Sequence, residues 1–185
     1  MIIEGSSIIL RDWMSKDIPD FSYWIQPHHK WHDFDGPYYK INEIEAAEKV
    51  KVLEKKINEG HFSTPRTRLV VADRQTDRLL GTVNSYWESK ETNWLCAGIT
   101  LYDPQTWGRG IGYESLGLWV DYLFHANPNI VRLDLRTWSG NKAMMKLAEK
   151  LGFTKEACFR NARIVGNEYY DSIGYGILRE EWANS

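Results

Sequence analysis

The feature that most constrains this chain is a run of three glycines at alternate positions, Gly108, Gly110 and Gly112. An apolar stretch over 96–101 leads into the run, and an amphipathic stretch leads out of it. This pattern predicts a strand, a glycine-rich turn and the start of a helix. Glycine permits positive φ and close approach of a ligand to the main chain, and the first helical turn carries unpaired N–H groups at the positive end of the macrodipole. The stretch therefore predicts an anion site that suits a phosphate or diphosphate.

The glycine run does not match the familiar phosphate-binding patterns. A P-loop needs Lys-Ser or Lys-Thr after its last glycine, and none follows Gly112. The dinucleotide-binding pattern G-x-G-x-x-G is not matched, because Ser115 occupies the position where the third glycine would follow Gly110 and Gly112. A plain tight turn between a strand and a helix is the alternative interpretation, and the turn alone does not decide between the two.

Charge and hydropathy exclude several classes of partner. The 23 basic and 25 acidic side chains are interspersed and give a net charge of −2, so the chain has no basic stripe and nucleic acid is disfavoured as the main partner. No apolar run is long enough to span a bilayer. The first residues lack the basic and apolar segments of a secretory signal, so we expect a cytoplasmic protein with no membrane partner.

Cysteine and histidine usage favours neither a disulfide nor a metal site. Cys96 and Cys158 both fall in apolar, strand-like segments, which predicts two small buried side chains in a reducing compartment. His28, His29 and His32 cluster, but no matching set of ligands occurs elsewhere in the chain. We therefore expect no metal.

The first half of the chain reads as strands and two helices. Residues 42–60 have the clearest helical pattern, with Asn42 and Glu45 spaced as a capping box and Gly60 placed to end the helix. The irregular loop 28–40 before it is rich in His, Asp, Gly, Pro and aromatic residues. It either borders a site or covers the surface with its rings. Strands are predicted at 7–11, 68–72, 79–87 and 94–102, the last three as an antiparallel meander.

The second half predicts a crossover and a hairpin. A helix follows the glycine run to about residue 126, and alternation over 131–138 predicts a strand parallel to the one before the helix. A short helix begins near Asn141 and ends at Gly152, with Phe153 packing back as in a Schellman motif. Two further strands, 159–165 and 168–178, are joined at a turn. No domain boundary is evident, so we expect one domain over 1–185.

This order of elements, together with the run from Asp103 to Gly112 and the later Asn141, resembles the GNAT superfamily of acyl-CoA-dependent N-acyltransferases. The end of the chain, 174–182, is similar to the RimJ/RimL-like branch, whose members resemble enzymes that acetylate the N-terminal α-amine of ribosomal proteins. The resemblance implies an α+β fold in a single domain. It also implies a central, twisted, mostly antiparallel sheet of about seven strands, with one splayed parallel pair and helices on both faces.

The resemblance also implies where acetyl-CoA, the acyl donor, would bind. The diphosphate-binding loop of the family falls on Trp107, Gly108, Arg109, Gly110, Ile111 and Gly112. The strand that pairs with the pantetheine arm falls on Thr100, Leu101 and Tyr102. The CoA-contacting asparagine falls on Asn141. An ordinary helix cap is the alternative interpretation of this residue, and it could serve both roles. Trp107 departs from the usual Arg or Gln, although an aromatic residue is common here in the RimJ/RimL-like branch.

The catalytic residues are less clearly indicated. Ala148 stands where many relatives carry a tyrosine that protonates the leaving thiolate, and Met144 where a serine is frequent; neither can donate a proton. Asp134 is the candidate base that the resemblance implies, and a strand carboxylate paired with a neighbouring arginine is the alternative. Tyr169 is the candidate hydroxyl for the thiolate. Glu88 and Glu114 are lesser candidates for the base, and Tyr170 is a further candidate for the hydroxyl.

The resemblance implies an acetyl-CoA-dependent N-acetyltransferase acting on a primary amine, either a protein N-terminal α-amine or a small-molecule amine. Direct attack of the amine on the thioester would be assisted by a main-chain N–H of the strand that ends at Tyr102. A non-catalytic acyl-CoA-binding sensor of the same fold is the alternative, which the loss of acid positions at Ala148 and Met144 favours slightly. The oligomeric state is left open, with a homodimer as one option.

Overall fold

The computed structural model describes residues 1–184, which form one mixed sheet with helices against both of its faces. The strands are β1 (Ile2–Glu4), β2 (Ile8–Arg11), β3 (Arg68–Asp73), β4 (Leu79–Ser89), β5 (Trp94–Leu101), β6 (Arg132–Trp138), β7 (Thr154–Val165) and β8 (Glu168–Leu178). The helices are α1 (Ile18–Trp24), α2 (Glu43–Asn58), α3 (Ile111–Ala126), α4 (Lys142–Lys150) and α5 (Arg179–Ala183). Short 3-10 turns lie at Ser15–Asp17, Lys30–Asp33 and Pro104–Thr106.

The sheet has eight strands in the order β1-β2-β3-β4-β5-β6-β8-β7, and every neighbouring pair is antiparallel except β5 and β6. The predicted α+β class, the antiparallel meander β3-β4-β5 and the single parallel pair are confirmed. The expected count of about seven strands is too low by one. The difference is β1, which pairs with β2 through three residues and is too short for an alternating pattern to reveal.

The parallel strands β5 and β6 pair over only part of their length. Their register runs from Leu95 opposite Leu133 to Ala97 opposite Leu135. Beyond Ala97, β5 continues on β4 to Leu101, whereas β6 continues on β8 to Trp138. The two strands therefore separate towards the end that leads into the glycine run, and an open cleft forms between their carboxyl-terminal halves.

Two apolar clusters cover the two faces of the sheet. On one face, α3 contributes Leu116, Trp119, Val120 and Leu123, all nearly or fully buried. On the other face, aromatic residues from α1 and the following loop pack against Tyr102 at the end of β5. The helical stripe that follows the glycine run in the sequence thus becomes the contact of α3 with the sheet.

Predicted helix ends are confirmed where they depend on local chemistry. At the start of α2, the Asn42 side chain accepts from the main-chain N–H of Glu45, and the Glu45 carboxylate accepts from that of Asn42. At the end of α4, Gly152 has φ of +85°, and the N–H of Phe153 donates to the carbonyl of Ala148 at 3.0 Å. This is the Schellman arrangement.

A buried ion-pair cluster attaches α1 to the sheet. Arg11 of β2 is 1% exposed and donates to both carboxylate oxygens of Asp17, at 2.7 and 2.8 Å. Its Nε also donates to Asp77 at 2.6 Å. Because a bidentate arginine satisfies a buried carboxylate well, this cluster holds the start of α1 against the turn between β3 and β4.

The two cysteines differ in environment. Cys96 on β5 is buried, as predicted, whereas Cys158 on β7 is exposed, so the prediction of a second buried thiol is wrong. The reason is that β7 lies at the edge of the sheet, where only β8 flanks it. Across residues 1–184, no helix combines the length and apolarity needed to cross a membrane.

Candidate functional site

The glycine run forms the turn into α3 as predicted. Gly108 and Gly110 have φ of +74° and +85°, a conformation that other residues rarely adopt. Gly110 is the N-cap of α3, and its carbonyl accepts the first hydrogen bond of the helix, from the N–H of Glu114 at 3.0 Å. The N–H groups between them have no partner within the helix, because the first turn of any helix leaves its donors free. The main chain therefore presents several donors at the positive end of α3.

Space lies beside this main chain. A Cβ atom added at Gly108 or Gly110 would meet no atom within 4 Å. A Cβ at Gly112 would contact Leu147 of α4 at 3.5 Å, so this third glycine serves the packing of two helices. The first two glycines thus leave open a cradle along the backbone, and all three line the same cleft.

The cleft has a volume of about 2090 Å³ and extends from the glycine run across the sheet to the β7–β8 hairpin. The loop 28–40 borders it through Trp31, His32, Phe34, Asp35 and Tyr38, among others. Of the two interpretations of this loop, the one in which it borders a site agrees with the structure. The volume of the cleft exceeds the roughly 300–1,000 Å³ that is usual for pockets that bind drug-sized ligands. The cleft is therefore large enough for two substrates side by side.

The main-chain N–H and C=O groups of β5 point alternately towards β4 and towards the cleft. The N–H of Tyr102 donates to the carbonyl of Leu80 on β4 at 3.0 Å. In an antiparallel ladder every second residue faces the neighbour, so Thr100 and Tyr102 turn their main chain to β4. Leu101 and Ile99 turn theirs the other way. In agreement, the carbonyl of Leu101 accepts from the Trp107 indole Nε1 at 3.1 Å instead of from β4.

Trp107 links the glycine run to the loop 28–40. Its indole nitrogen binds the carbonyl of Leu101, and its ring meets Phe34 edge to face with centroids 5.4 Å apart. The half-buried ring therefore stabilises the loop before α3 by contacts with both the strand and the aromatic loop. The neighbouring Arg109 is exposed, and Ile111 packs against the apolar cluster under α3; neither lines the cleft.

Asn141 caps α4 and also contacts the loop 28–40. Its Oδ1 accepts from the N–H of Met144 at 3.0 Å, and its Nδ2 donates to the carbonyl of Phe34 at 3.2 Å. The indole of Trp138 donates to the same carbonyl at 2.9 Å. The cap interpretation of Asn141 is thus confirmed, and the residue also lines the cleft.

The predicted base lies outside the cleft lining. Asp134 is 4% exposed, and its Oδ1 accepts from Nε and Nη2 of Arg132 at 2.9 and 2.6 Å. Its Oδ2 lies 3.4 Å from Arg136. This is the arrangement of the alternative interpretation, a strand carboxylate paired with neighbouring arginines. Arg136, unlike Asp134, does line the cleft and stacks on Trp94 with its guanidinium 5.3 Å from the ring centroid.

The predicted proton donors also lie away from the cleft. Tyr169 is 65% exposed on β8, and the hydroxyl of Tyr170 donates to Glu168 at 2.7 Å. Ala148 is fully buried in α4, while Met144 lines the cleft. Among the described residues, the structure therefore brings Met144 and Asn141 together with the glycine run but leaves Tyr169 apart from it.

The lesser candidate bases have different surroundings. Glu88 lines the cleft, 3.9 Å from Arg136. Glu114 instead accepts hydrogen bonds from Ser6 and Ser7 near the start of the chain. Burial alone would raise the pKa of Glu114, but the hydrogen bonds from Ser7 and Ser6 outweigh burial and lower it. Glu114 thus stabilises the contact of α3 with the segment before β2.

Sequence reasoning missed one polar contact inside the cleft. The Thr100 hydroxyl donates to Oδ2 of Asp35 at 2.7 Å, across 65 residues of chain. Nearby, burial raises the pKa of Tyr102 to about 12 and lowers that of His32, so both are neutral near pH 7. The only signal for Asp35 was its position in the loop 28–40, since a single aspartate carries no spacing pattern. Residues 1–184 contain no group of three or more His, Cys, Asp or Glu that could hold a metal ion.

Comparison with known proteins identifies the domain. The family model described as an acetyltransferase (GNAT) domain matches residues 7–154. A curated relative, the SPbeta prophage-derived uncharacterized N-acetyltransferase YokL of Bacillus subtilis, is 25% identical over 112 residues, which are 60% of this chain. The match spans 62% of the length of that relative.

Solved structures share the fold over almost the whole chain. The crystal structure of a GNAT-family acetyltransferase from Bacillus anthracis has a TM-score of 0.75 at 19% identity. The superposition covers 97% of this chain and 99% of the Bacillus anthracis chain. RimL, a ribosomal L7/L12 α-N-protein acetyltransferase solved in complex with coenzyme A, has a TM-score of 0.72 at 18% identity and covers 96% and 98%. At these identities the likeness concerns the fold.

Proposed function

This chain belongs to the GNAT acetyltransferase family, and from this premise we propose that it transfers an acetyl group from acetyl-CoA to a primary amine. The single observation that carries the proposal is the open cradle at Gly108 and Gly110. The main-chain donors at the start of α3 lie beside two glycines whose Cβ positions have no protein atom within 4 Å. An anionic diphosphate is the ligand that such a helix start suits.

The residues of the cleft fit acetyl-CoA along its length. The N–H groups from Gly108 to Gly112 would hold the diphosphate, with Trp107 supporting the loop. Leu101 and Ile99 would offer main-chain groups to the pantetheine arm, because their N–H groups face away from β4. Asn141 would lie along the same path. Bound acetyl-CoA would supply an acetyl group activated as a thioester.

The chemistry of the chain itself is mainly positioning and electrostatic. A main-chain N–H of Leu101 or Ile99 would donate to the acyl oxygen as negative charge develops on it. The leaving thiol has an ordinary pKa of about 8.5, so it departs tolerably without a dedicated acid. This is consistent with Ala148 and Met144 at the usual acid positions. Asp134 as base and Tyr169 as acid stay predictions, and both would have to act from outside the cleft lining.

For the acceptor, we propose a protein N-terminal α-amine or a small-molecule amine. The fold likeness to RimL supports the RimJ/RimL-like branch and hence the first option. The volume of the cleft, about 2090 Å³, supports either option, and residues of the loop 28–40 and of the β7–β8 hairpin line it. A cytoplasmic setting completes the proposal, supported by two cysteines that are both free thiols.

A second candidate is a sensor that binds acyl-CoA without turnover. It is favoured by one observation: neither Met144 on the cleft wall nor the buried Ala148 can donate a proton. The two functions share the cradle at Gly108 and Gly110, so CoA binding alone does not separate them. Release of free thiol in the presence of an amine does.

The experiment measures binding first and turnover second. Calorimetry with coenzyme A is expected to detect binding to the wild type, and Gly110→Asp is expected to weaken it about tenfold or more, because a carboxylate at a helix start opposes an anionic ligand. Gly166→Asp is the matched control. Gly166 also has positive φ and open space around its Cβ position, but it lies in the β7–β8 turn.

Thiol release from acetyl-CoA is then followed with a library of primary amines and N-terminal peptides. Turnover with any amine supports the enzyme, and binding without turnover supports the sensor. Equal affinity for coenzyme A in wild type and Gly110→Asp would contradict both candidates.

A further inference from the structure

Four carboxylates line the cleft among the described residues, and they differ in the groups that they contact. They are Asp35, Glu45, Glu48 and Glu88. Glu45 closes the capping box of α2 by accepting from the N–H of Asn42 at 3.0 Å, and Glu48 lies one turn further along that helix. Glu88 faces a cation, because its Oε2 lies 3.9 Å from Arg136.

Asp35 alone of these four contacts the splayed half of β5. Its Oδ2 accepts from the Thr100 hydroxyl at 2.7 Å. Thr100 lies three residues beyond Ala97, the last residue of β5 that pairs with β6. The carboxylate therefore lies against the half of β5 whose main-chain donors, at Ile99 and Leu101, face the open cleft.

The Asp35 carboxylate is held in place from two sides. The preceding residue, Phe34, is fixed by its carbonyl, which accepts from Trp138 at 2.9 Å and from Asn141 at 3.2 Å. Thr100 fixes one oxygen of the carboxylate itself. An ionised carboxylate can accept about four hydrogen bonds, and Thr100 is the one donor to Asp35 within the described part of the chain. The group thus keeps acceptor capacity directed at the cleft, where Asp35 is exposed.

We infer that Asp35 binds the ammonium group of the acceptor and positions the amine beside the strand that faces the acetyl group. This inference rests on the proposed acetyl transfer and deepens it. A preorganised carboxylate in a cleft attracts a cation more strongly than one on an open surface. The acceptor class is therefore a primary amine that is cationic at neutral pH. It binds to Asp35 as the ammonium ion and attacks the thioester as the neutral amine, after it releases one proton to solvent in the open cleft.

The experiment compares two acceptors and two matched variants. The acceptors are a primary alkylamine that the wild type acetylates and the alkoxyamine of the same chain length, which is uncharged at the assay pH. Asp35→Asn removes the charge but keeps an oxygen for the Thr100 hydroxyl. Asp33→Asn makes the same change in the same loop, at an exposed residue outside the cleft lining. Thermal unfolding of each variant verifies folding.

We expect Asp35→Asn to lower kcat/KM for the alkylamine about 10- to 100-fold, the range for loss of a hydrogen bond between charged groups. The alkoxyamine is expected to change by about threefold or less, because an uncharged acceptor gains little from the carboxylate. Asp33→Asn is expected to act as the wild type with both acceptors. Asp35→Glu, which restores the charge one methylene further out, is expected to recover part of the loss for the alkylamine alone.

Equal losses for the two acceptors in Asp35→Asn would overturn the inference, because that result indicates a structural role. So would an unchanged kcat/KM for the alkylamine. Calorimetry with coenzyme A separates a failure of this inference from a failure of the proposed function. If the wild type binds coenzyme A but acetylates no amine, both the proposed acetyl transfer and the role of Asp35 are contradicted. If the wild type acetylates amines and Asp35→Asn does so equally well, only the role of Asp35 falls.

Discussion

Asn141 donates a hydrogen bond from its side-chain amide to the carbonyl oxygen of Phe34, 3.2 Å away, although 107 residues separate them in the chain. The same side chain caps α4 through its oxygen. One residue therefore connects the start of a helix beside the cradle with the loop 28–40 on the other side of the cleft. The amide therefore fixes the loop 28–40 against the start of α4.

Replacement of Asn141 by alanine is predicted to lower both stability and affinity for coenzyme A. Loss of the cap and of the bond to Phe34 is expected to cost about 1–2 kcal/mol in the free energy of unfolding. Affinity is expected to fall about fivefold or more, because the cleft wall loses a donor and its fixed loop. Denaturant unfolding and calorimetry measure the two effects.

Asn42→Ala is the matched control for this prediction. Asn42 is also an asparagine N-cap, of α2, but it does not line the cleft. It is expected to cost about 1 kcal/mol while coenzyme A binds as in the wild type. If both variants lose affinity equally, Asn141 acts on binding through stability alone.

Asp134→Asn is predicted to destabilise the protein, as denaturant unfolding would measure, because the structure pairs this carboxylate with two arginines. The carboxylate pairs with Arg132 and Arg136, which are 30% and 29% exposed. After its loss, Arg132 keeps Glu156 and Arg136 keeps Glu88 as acidic partners. We expect a loss of about 1–3 kcal/mol, below the cost for fully buried pairs, because solvent screens both cations. A fall in turnover of about a hundredfold with normal folding would instead identify Asp134 as the base.

Arg11→Met is predicted to be strongly destabilising. It leaves the carboxylate of Asp17, 2% exposed, without its bidentate partner, and removal of one member of a buried pair typically costs about 3–5 kcal/mol. Lys16→Met is the comparison, since it removes only the partly exposed contact of Lys16 with Asp77. That change is expected to cost about 0.5 kcal/mol or less. Similar unfolding midpoints for the two variants would contradict the prediction.

Acidification is predicted to reduce stability through His32. Burial lowers the pKa of this histidine below its ordinary value, so the unfolded chain binds its proton more readily than the folded one. The stability is fully present above the unfolded pKa of about 6.5 and is lost as pH falls below it. The slope is at most about 1.4 kcal/mol per pH unit for one group.

Unfolding midpoints measured from pH 7.5 to pH 5 check this prediction. His32→Gln is expected to show a shallower decline than the wild type. Part of the decline is expected to persist, because burial also lowers the pKa of His29. An identical slope in wild type and His32→Gln would show that the unfolded and folded states bind the proton of His32 equally.

Local chemistry explains which parts of the fold were predictable. The capping box of Asn42 and Glu45, the turn at Gly110 and the helix stop at Gly152 each depend on residues within a few positions of one another. The single parallel pair followed from a strand, a helix and a strand in succession. The short strand β1 was missed because its pairing with β2, and not its own pattern, makes it a strand. The short helix α5 was also missed, and β7 begins at Thr154 instead of at the predicted residue 159.

The candidate site was predictable on its donor side and much less so on its acceptor side. The cradle depends on the backbone freedom of Gly108 and Gly110 and on the unpaired donors of a helix start, both of which are properties of adjacent residues. The contacts of Asp35 with Thr100 and of Asp134 with two arginines depend on which strands become neighbours and on how far β5 and β6 separate. An aspartate is the same residue in the sequence whether its carboxylate forms an ion pair, caps a helix or lines a cleft. Only long-range packing decides which of these environments the carboxylate occupies.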